Sequence, residues 1–556
     1  MAAPTYEDAL ATVTAPGARF EIEDVEVRGQ TYKYFKNTAP NLRAIFDTAR
    51  TRDGIFLVYE DERWTFADTM AKADQIADAL VNQYDVAKGD RVAIGMRNYP
   101  EWVASFVAIT SIGAVSVSLN AWWTEEEMAY GIEDSGAKIL IADRERIERA
   151  SPALKNGALQ ALAVRAEGEL PPNTRHLNDV LRPNATLPDV RVEPDDDATI
   201  LYTSGTTGFP KGAVSTHRNV LSAIMAFGCR AQVRAAMRAG QPPHPFPIVF
   251  ILIVPLFHVT GSVAVMLNAF IAGVKLVMMY KWNPERALEL IERERVTNFV
   301  GVPTMSWDLL ESPDFAKRDT SSLMNVGGGG APAPPELVRR VDKSFAKARP
   351  NIGYGMTETC AYGPQNDGDD YIRKPTSTGR TVPVLEMRVI DVNGRALGPG
   401  EVGEICFRGP NVFRGYWNKP EATAEVLQDG WLRSGDIGRI DNEGFIYVED
   451  RAKDMVLRGG ENIYCAEVEA AVYEHSAVHE AAVFGTPHDR LGEEVAAAIY
   501  LKPGETLDPE VLREHLAARI ASFKIPSRIE IRTEPLPRNA AGKVLKRTLR
   551  DETTSR

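Results

Sequence analysis

Short apolar runs alternate with longer helical stretches in the first part of the chain. From about Ile55 to Ile141, runs such as RVAIGM and KILIAD stand between stretches with helical spacing, Trp64 to Leu80 and Trp102 to Ile112. Strands that alternate with helices are typical of parallel sheets covered by helices. The pattern therefore predicts α/β layers in this region.

The same alternation returns downstream. After Gly273 the strand-like run LVMMY precedes a helical segment, Glu285 to Val296, and the strand-like run NFVGVP follows it. Apolar residues recur in that segment with the spacing of one helix face, which predicts another β-α-β unit. The stretch from Asn156 to Pro194 is rich in proline, asparagine and charge, and predicts a surface connection with a little structure rather than a domain boundary.

One long apolar stretch, Pro247 to Tyr280, resembles a membrane span in length. Pro255 and Gly261 interrupt it, whereas a spanning helix needs about 20 continuous apolar residues. The interruptions favour a buried strand, a loop and a packed helix.

After about Val384 the sequence pattern changes to short strands separated by turns, which predicts a small β-rich subdomain. From about Ala452 onward, strands and helices predict a compact α+β unit. The expected fold class is therefore α/β, with a large domain over residues 1–450 and a small domain over residues 451–556.

Composition narrows the classes of function. The 556 residues carry a net charge of −12, which argues against a nucleic acid partner. The four cysteines form no CxxC pair, and the first residues lack a basic segment followed by an apolar one. These features predict a cytoplasmic protein with neither disulfides nor a zinc site.

The segment TILYTSGTTGFPKG, Thr199 to Gly212, has the composition of a phosphate-binding loop. It offers hydroxyl groups, glycines that let an anion approach the backbone, and the positive charge of Lys211. Its lysine stands between Pro210 and Gly212, so the spacing is not that of a Walker loop. A triphosphate is the expected ligand, although such loops also serve as structural turns.

Four further segments carry chemistry. GYGMTETC places an aromatic ring, a hydroxyl and the carboxylate of Glu358 together, a set suited to a base, a phosphate and Mg²⁺. GWLRSGDIGRID contains Asp436, EDRAKDMVLRGGENIY contains Arg451, and PRNAAGKVLKR contains Lys543.

In this order, the five segments resemble those of the adenylate-forming superfamily, and in particular its acyl-CoA synthetase branch. The resemblance implies a ligase in fatty-acid or lipid metabolism that uses ATP, Mg²⁺ and coenzyme A. It implies ATP-binding roles for Thr203, Ser204, Gly205, Thr206, Thr207, Lys211, Tyr354, Gly355, Asp436 and Arg451. It implies catalytic roles for Lys543, Glu358, Thr357 and His258, with Glu358 also binding Mg²⁺.

The implied reaction has two steps. The acid and ATP give an acyl adenylate and pyrophosphate, and coenzyme A then gives acyl-CoA and AMP. The first step brings two anions together, so cations such as Lys543 must neutralise the charge. For the second step the family rotates its C-terminal domain about a hinge, which Lys453 matches, and brings the loop of Arg458, Gly459 and Gly460 to the site.

The segment PLFHVTG resembles the family segment that enters the acyl pocket, with His258 beside the carboxylate and Phe257 in the pocket. It contains no aspartate for an α-ammonium group and no tryptophan gate. In the run GGGGAP, Gly328 and Gly329 leave room for a bulky or extended acid, although a tight turn fits the run equally well. The expected substrate is a medium- or long-chain fatty acid or another apolar acid, such as an aryl, alicyclic or steroid-like one.

Several alternatives stay open. The adenylate can instead be transferred to a carrier-protein thiol, or serve a luciferase-like oxygenase or a non-catalytic nucleotide-binding relative. The expected partners are a small carboxylic acid and coenzyme A, with peripheral membrane contact and a monomer or homodimer left open. Arg230, Arg234 and Arg238 lie on one helical face, which is a solvated face or an anion-binding patch. Cys465 is expected to be structural.

Overall fold

The computed structural model describes residues 4–157, 159–203, 210–240, 242–345, 347–459, 461–539 and 542–555. The described helices are α1 (Tyr6–Val13), α2 (Leu42–Asp47), α3 (Phe66–Tyr84), α4 (Pro100–Ser111), α5 (Glu125–Ser135), α6 (Arg144–Arg149), α7 (Ser151–Lys155), α8 (Leu177–Val180), α9 (His217–Met237), α10 (Asn268–Ala272), α11 (Pro284–Glu294), α12 (Pro303–Glu311), α13 (Pro335–Ser344), α14 (Gly368–Arg373), α15 (Pro420–Val426), α16 (Cys465–Tyr473), α17 (Pro509–Ala517) and α18 (Lys546–Thr554). A π-helix spans Thr260–Leu267, and 3₁₀ turns span Phe315–Lys317, Thr357–Thr359 and Ser522–Lys524.

The strands are β1 (Ile22–Val27), β2 (Gln30–Phe35), β3 (Ile55–Tyr59), β4 (Glu62–Thr65), β5 (Arg91–Gly95), β6 (Val115–Ser118), β7 (Ile139–Asp143), β8 (Gln160–Val164), β9 (Thr174–His176), β10 (Asp197–Thr203), β11 (Lys211–Thr216), β12 (Val249–Leu252), β13 (Lys275–Met278), β14 (Asn298–Gly301), β15 (Asn325–Gly329), β16 (Arg349–Gly353), β17 (Gln365–Asp367), β18 (Glu386–Ile390), β19 (Gly403–Arg408), β20 (Gly415–Tyr416), β21 (Leu427–Gln428), β22 (Trp431–Ile440), β23 (Ile446–Arg451), β24 (Val456–Arg458), β25 (Glu461–Ile463), β26 (Val478–His488), β27 (Gly492–Leu501) and β28 (Arg528–Arg532).

Two large sheets dominate the first part of the molecule. The first has the order β20-β11-β10-β6-β5-β7-β8-β9, and the second has the order β17-β16-β15-β14-β12-β13-β3-β4. Most neighbours in their centres are parallel, as the alternation of strands and helices predicts. The largest apolar cluster contains residues of both sheets and of α3 and α4. The Trp102 and Phe106 rings of α4 stack on each other within it.

Local sequence signals explain where key helices begin. The Thr65 side chain caps α3 and Asp68 returns the bond, so the helix begins at Phe66 and not at Trp64, which lies in β4. A similar exchange between Thr216 and Asn219 starts α9 directly after β11. Capping therefore fixes α9 next to the hairpin predicted to bind phosphate.

The β-rich texture after Val384 corresponds to a sheet with the order β18-β19-β22-β21, with β23 paired to β22. A last sheet, with the order β25-β24-β27-β26 and β28 paired to β27, carries α16, α17 and α18 and has its own apolar clusters. We call the part from β24 onward the C-terminal unit. The fold class is therefore α/β, with a large N-terminal part and a small α+β part; the boundary at residue 451 stays a prediction.

Two expectations from the sequence are wrong. The stretch from Asn156 to Pro194 is more than a surface connection with a little structure, because β8 pairs with β7 inside the first large sheet and buries Ala161 to Val164. The solvated-face interpretation of the α9 arginines fails for Arg230, which is 5% exposed and pairs with Asp367. A carboxylate distant in sequence compensates the buried charge, so helical spacing alone did not reveal it.

The apolar stretch from Pro247 to Tyr280 forms β12, a loop, the π-helix, α10 and β13, as expected. In the ranges that the structure describes, no helix has the length and apolar character needed to cross a membrane.

Candidate active site

The hairpin β10–β11 holds the ends of the predicted phosphate loop. Thr203 and Lys211 are paired across the two strands, and the Thr203 hydroxyl donates to the Lys211 carbonyl at 3.3 Å. The ammonium nitrogen of Lys211 lies 5.1 Å from the centroid of the Tyr416 ring. Ser204, Gly205, Thr206 and Thr207 lie outside the described residues. The lysine therefore faces a ring supplied by the distant strand β20.

Glu358 is a buried carboxylate in the 3₁₀ turn that follows β16. The Tyr416 hydroxyl donates to its Oε1 at 2.7 Å, and only 6% of the residue is exposed. Burial raises the pKa of Glu358, against the opposing effect of the Tyr416 hydrogen bond. No lysine or arginine in the described ranges lies within ion-pair distance of this carboxylate. Tyr416 thus links Lys211 and Glu358 into one cluster. Within it, no cation of the described residues is paired with the Glu358 carboxylate.

A strained turn positions Thr357 and Glu358. The next two residues, Cys360 and Ala361, have φ angles of 52° and 64°, which is the left-handed region for side chains other than glycine. Each such residue costs about 1 to 3 kcal/mol and persists where surrounding contacts impose it. Gly355 makes the turn feasible, because a Cβ there would lie 2.4 Å from the Ala361 carbonyl oxygen.

Tyr354, Asp436 and Arg451 form a second cluster. The Tyr354 hydroxyl donates to Asp436 Oδ2 at 2.5 Å, and Arg451 Nε lies 3.1 Å from Oδ1 of the same carboxylate. Asp436 and Arg451 are paired residues of β22 and β23, so the sheet sets their contact. Burial, and then the charge of Asp436, raises the pKa of Tyr354 well above its ordinary value. The tyrosine therefore remains a hydrogen-bond donor.

Lys543 comes to this cluster from the C-terminal unit. A Cβ on Gly542 would lie 2.9 Å from a methyl group of Val302, so the segment before the lysine rests on the start of α12. Burial, and then the positive charge of Arg451, lowers the pKa of Lys543 to about 8. Its backbone N–H donates to Asn539 Oδ1 at 2.9 Å. The predicted lysine therefore lies within electrostatic reach of Arg451 and Asp436.

A second contact between the two parts of the molecule lies nearby. His479 Nδ1 of β26 is 2.8 Å from Glu311 Oε2 at the end of α12. The hydrogen bond to Glu311 raises the pKa of His479, although burial opposes it. The same helix thus supports the lysine segment at one end and an ion pair at the other.

His258 lies between β12 and the π-helix. Its Nδ1 accepts the Thr260 N–H at 3.3 Å, and burial lowers its pKa to about 4. The neutral ring therefore carries its proton on Nε2, as assigned from this hydrogen bond. Phe257, which was predicted to line an acyl pocket, is 8% exposed. π-Helical turns are often found at functional sites.

The glycine run lies in strand β15, and the alternative of a tight turn is wrong for Gly327 to Gly329. A Cβ on Gly328 would lie 2.0 Å from the Gly301 carbonyl oxygen, and one on Gly329 would lie 2.3 Å from the Gly353 carbonyl oxygen. These glycines therefore let β14, β15 and β16 approach closely, and they leave that part of the sheet without side chains.

The described residues of the predicted thioester loop make their contacts within the C-terminal unit. Lys453 is exposed between β23 and β24. Arg458 pairs with Glu494 at 3.6 Å, and the Gly459 N–H donates to the Leu491 carbonyl at 2.8 Å, both within the C-terminal unit. Gly460 lies outside the described residues.

Tyr416 is the site residue that sequence reasoning missed. It lies in the segment FRGYWN, which lacks the glycine and hydroxyl pattern of the phosphate loop. Its contact with Glu358 crosses 58 positions of the chain and needs the fold to form. An aromatic residue in a short strand gives no signal of such a role.

Comparison with known proteins agrees with this arrangement. The profile of AMP-binding enzymes matches residues 46–417, and that of the AMP-binding enzyme C-terminal domain matches residues 467–543. The chain therefore belongs to the AMP-binding enzyme family. Within that family it is an acyl-CoA synthetase, an ATP-dependent ligase that joins an acid to coenzyme A through an acyl adenylate.

Two relatives and two solved structures illustrate the placement. The chain is 35% identical to a long-chain-fatty-acid–CoA ligase of Mycobacterium tuberculosis, over 88% of this chain and 93% of that one. It is 36% identical to a feruloyl-CoA synthase of Amycolatopsis, over 87% and 93%. The o-succinylbenzoate-CoA synthetase of Bacillus subtilis, solved with its acyl-adenylate intermediate, is 31% identical with a TM-score of 0.77, over 92% and 98%. A fatty acyl-CoA synthetase of Mycobacterium tuberculosis is 31% identical with a TM-score of 0.68, over 93% and 98%.

Proposed function

We propose that the cluster of Tyr354, Asp436 and Arg451, with Lys543 near it, and the Glu358 cluster together form the site where a carboxylate attacks the α-phosphate of ATP. The observation that carries this proposal is the position of Lys543, which the C-terminal unit brings within electrostatic reach of the paired residues Arg451 and Asp436. A cation brought in from a separate unit is suited to a group that must enter for one step and leave for the next.

The nucleotide would extend from one cluster to the other. Asp436 and Arg451 would hold the ribose hydroxyls, and Tyr354 would lie against adenine while its own hydroxyl stays on Asp436. The loop from Thr203 to Lys211 would wrap the β- and γ-phosphates, and Thr357 would contact the α-phosphate. These roles come from the resemblance, and the contacts among the described residues support them.

Glu358 fits a magnesium site. Mg²⁺ is typically held by one or two carboxylates together with substrate phosphates, and this carboxylate is buried with no cation of the described chain beside it. When bound, Mg²⁺ would neutralise charge on the phosphates. Tyr416 would hold the carboxylate in place through its hydrogen bond to Oε1.

The first step would need charge neutralisation and no general base. The attacking carboxylate is already ionised at neutral pH, since the ordinary carboxyl pKa is about 4. Lys543 would bridge the carboxylate and the α-phosphate and so stabilise the charge that develops between them. His258, neutral and with its proton on Nε2, would donate a hydrogen bond to the acid.

The acid would be a medium- or long-chain fatty acid or another apolar acid. Fatty-acid and feruloyl ligases among the relatives support this class. Phe257, Gly328 and Gly329 would line its pocket, because the glycines keep side chains out of the space beside β15. No carboxylate stands in the segment PLFHVTG to hold an α-ammonium group.

The second step would require the C-terminal unit to turn about Lys453. Lys543 would leave, and Arg458, Gly459 and Gly460 would approach the adenylate so that the coenzyme A thiol can reach its carbonyl. The docked lysine corresponds to the arrangement needed for the first step. A cytoplasmic location and a monomeric or homodimeric state stay predictions from the sequence.

The proposal is tested by incubating the protein with ATP and Mg²⁺ and a panel of fatty, aryl, alicyclic and amino acids. The panel is run with coenzyme A, with a phosphopantetheine-bearing carrier protein, and with neither thiol. We expect pyrophosphate with apolar acids and a thioester with coenzyme A. Thioester formation on the carrier alone would favour the carrier-loading alternative, and preferential activity with amino acids would contradict the assigned acid class.

A further inference from the structure

One face of the second large sheet is open in the middle of the molecule. Along β14 and β16, Asn298, Val300, Asn351 and Gly353 are half-buried, while the residues that alternate with them are fully buried. In β15 the half-buried positions on this face include Asn325, Gly327 and Gly329. Parallel strands are normally buried on both faces. The alternation therefore indicates a groove over these strands.

Helix α9 reaches this face through one side chain. The Arg234 side chain of α9 donates to Asn325 Oδ1 at 2.9 Å, and Asn325 donates in turn to Asn298 Oδ1 at 2.7 Å. Strand register places Gly327 beside Val300 and Asn351, and Gly329 beside Gly353, on the same side as Asn325. The groove thus lies between α9 and a floor that glycines keep low.

The groove begins at the active site. Gly353 precedes Tyr354, whose hydroxyl lies on Asp436, and Val302, two residues beyond Val300, contacts Gly542 next to the lysine. From Gly329 to Asn325 the strand advances about 13 Å, at about 3.3 Å per residue. An extended chain of about ten carbons covers that distance, since bonds of about 1.5 Å advance about 1.25 Å each.

The far end of the groove is cationic. Asp367 lies 3.0 Å from Arg230 NH2 and 3.1 Å from Arg234 Nε, so one carboxylate serves two guanidinium groups. Arg238, which follows the last residue of α9, is exposed and adds a third positive charge. Burial lowers the pKa of Arg234. The positive charges of Arg230 and Arg238 lower it further, whereas the negative charge of Asp367 raises it. A quarter of the Arg234 side chain remains accessible.

The three arginines have different surroundings. Arg230 is enclosed between Asp367 and the Tyr6 ring, whose centroid lies 4.9 Å from its guanidinium carbon, so it serves to hold Asp367. Arg234 is partly accessible, shares the Asp367 carboxylate with Arg230, and reaches Asn325 on the groove floor. It is therefore the group that a ligand in the groove would meet first.

We propose that the acid substrate carries a second carboxylate about ten carbons from the reacting one, and that Arg234 binds it. The inference rests on the proposed function, because it assumes that the acid lies in this groove. The apolar part of the acid would lie over the glycines of β15. The second carboxylate would neutralise positive charge of the arginines that the single carboxylate of Asp367 does not. Guanidinium groups are well suited to binding carboxylates in this way.

The test compares α,ω-dicarboxylic acids with monocarboxylic acids of the same length, from eight to fourteen carbons, by pyrophosphate release from the full-length protein. We expect a preference for the dicarboxylic acid near ten carbons. Arg234→Gln should raise its KM roughly 10- to 100-fold, the range for a hydrogen bond to a charged group, with little change in kcat. The KM for the monocarboxylic acid should stay unchanged or fall, and Arg234→Lys should restore part of the difference.

Arg218→Gln is the matched control, since Arg218 lies on the same helix and pairs with Asp195 at the surface. It should leave both KM values unchanged. If Arg234→Gln fails to fold, Arg238→Gln at low salt is the second variant, and a loss of dicarboxylate preference of about threefold is expected for a nearby exposed charge. Equal effects on both acid series, or no dicarboxylate preference in the unaltered protein, would overturn the inference. Absence of pyrophosphate with every acid would instead overturn the proposed function.

Discussion

Two aspartate-centred clusters lie at opposite ends of the groove, and they are built differently. Asp436 collects Tyr354, Arg451 and the nearby charge of Lys543 from separate segments, one of which belongs to the C-terminal unit. Asp367 collects its cations from a single helix, α9. A cluster assembled across two units can be dismantled when one unit moves, whereas a cluster on one helix persists. The first is suited to a reaction step and the second to recognition.

The largest expected effect comes from Lys543→Ala. Because this residue supplies a mobile cation at the reacting phosphate, adenylation should fall about 1,000-fold, the upper range for loss of one transition-state donor. Reaction of a supplied acyl adenylate with coenzyme A should be nearly unchanged. The two half-reactions are measured separately, by pyrophosphate release and by thioester formation.

Lys524→Ala is the control, since Lys524 is a lysine of the same unit that pairs with Glu467 away from the site. It should leave both half-reactions intact. Equal losses of adenylation and thioester formation in the Lys543 variant would contradict the assignment of this residue to the first step alone.

Glu358→Gln should have the next largest effect. The amide keeps the size of the side chain and can still accept from Tyr416, but it removes the charge that would hold Mg²⁺. Adenylation should fall about 100-fold at low Mg²⁺ and recover in part as Mg²⁺ is raised, as expected when a hard cation loses one anionic ligand. A magnesium titration of the adenylation rate measures this, and a loss that is independent of Mg²⁺ would count against the metal role.

The charged residues of the two clusters, and their roles, could be predicted from the sequence to different degrees. Asp436, Arg451 and Lys543 stand in segments whose order along the chain is distinctive, so their functions were expected before the fold was known. Arg230 and Arg234 repeat every four residues on a helix, a spacing that also fits an ordinary solvated face. Their partner Asp367 is 137 residues from Arg230, so the fold was needed to reveal the pairing.

The same contrast explains what was missed elsewhere. The parallel strands were predicted because their apolar runs are local, while the enclosure of β8 in the first large sheet depends on pairing with β7. Tyr416 carries no charge and reaches Glu358 only through the position of β20 beside β11. Contacts between residues that are far apart in the chain produce no periodic pattern in the sequence from which they could be predicted.

The pH dependence of adenylation offers a test that alters no residue. Lys543 acts as a cation, and its pKa is lowered to about 8 in the free enzyme. The active form is therefore present below that value and lost as pH rises through it, so kcat/KM for adenylation should fall about tenfold per pH unit above pH 8. The thioester step with supplied adenylate should lack this decline, and a decline shared by both steps would refute the role of Lys543 in it.

The smallest expected effect concerns the ion pair between His479 and Glu311, which helps to hold the C-terminal unit against α12. The pKa of His479 is raised in this arrangement, so the stabilisation is complete below the ordinary value of 6.5 and is lost as pH rises through the raised pKa. His479→Gln should lower the ratio of docked to undocked molecules about fivefold at pH 6, as expected for about 1 kcal/mol from a partly exposed pair. Fluorescence energy transfer between labels on the two units measures that ratio, with His488→Gln, a histidine within the C-terminal unit, as the control. The difference between the unaltered protein and the variant should vanish at high pH; a difference that persists there would assign the effect to packing and not to charge.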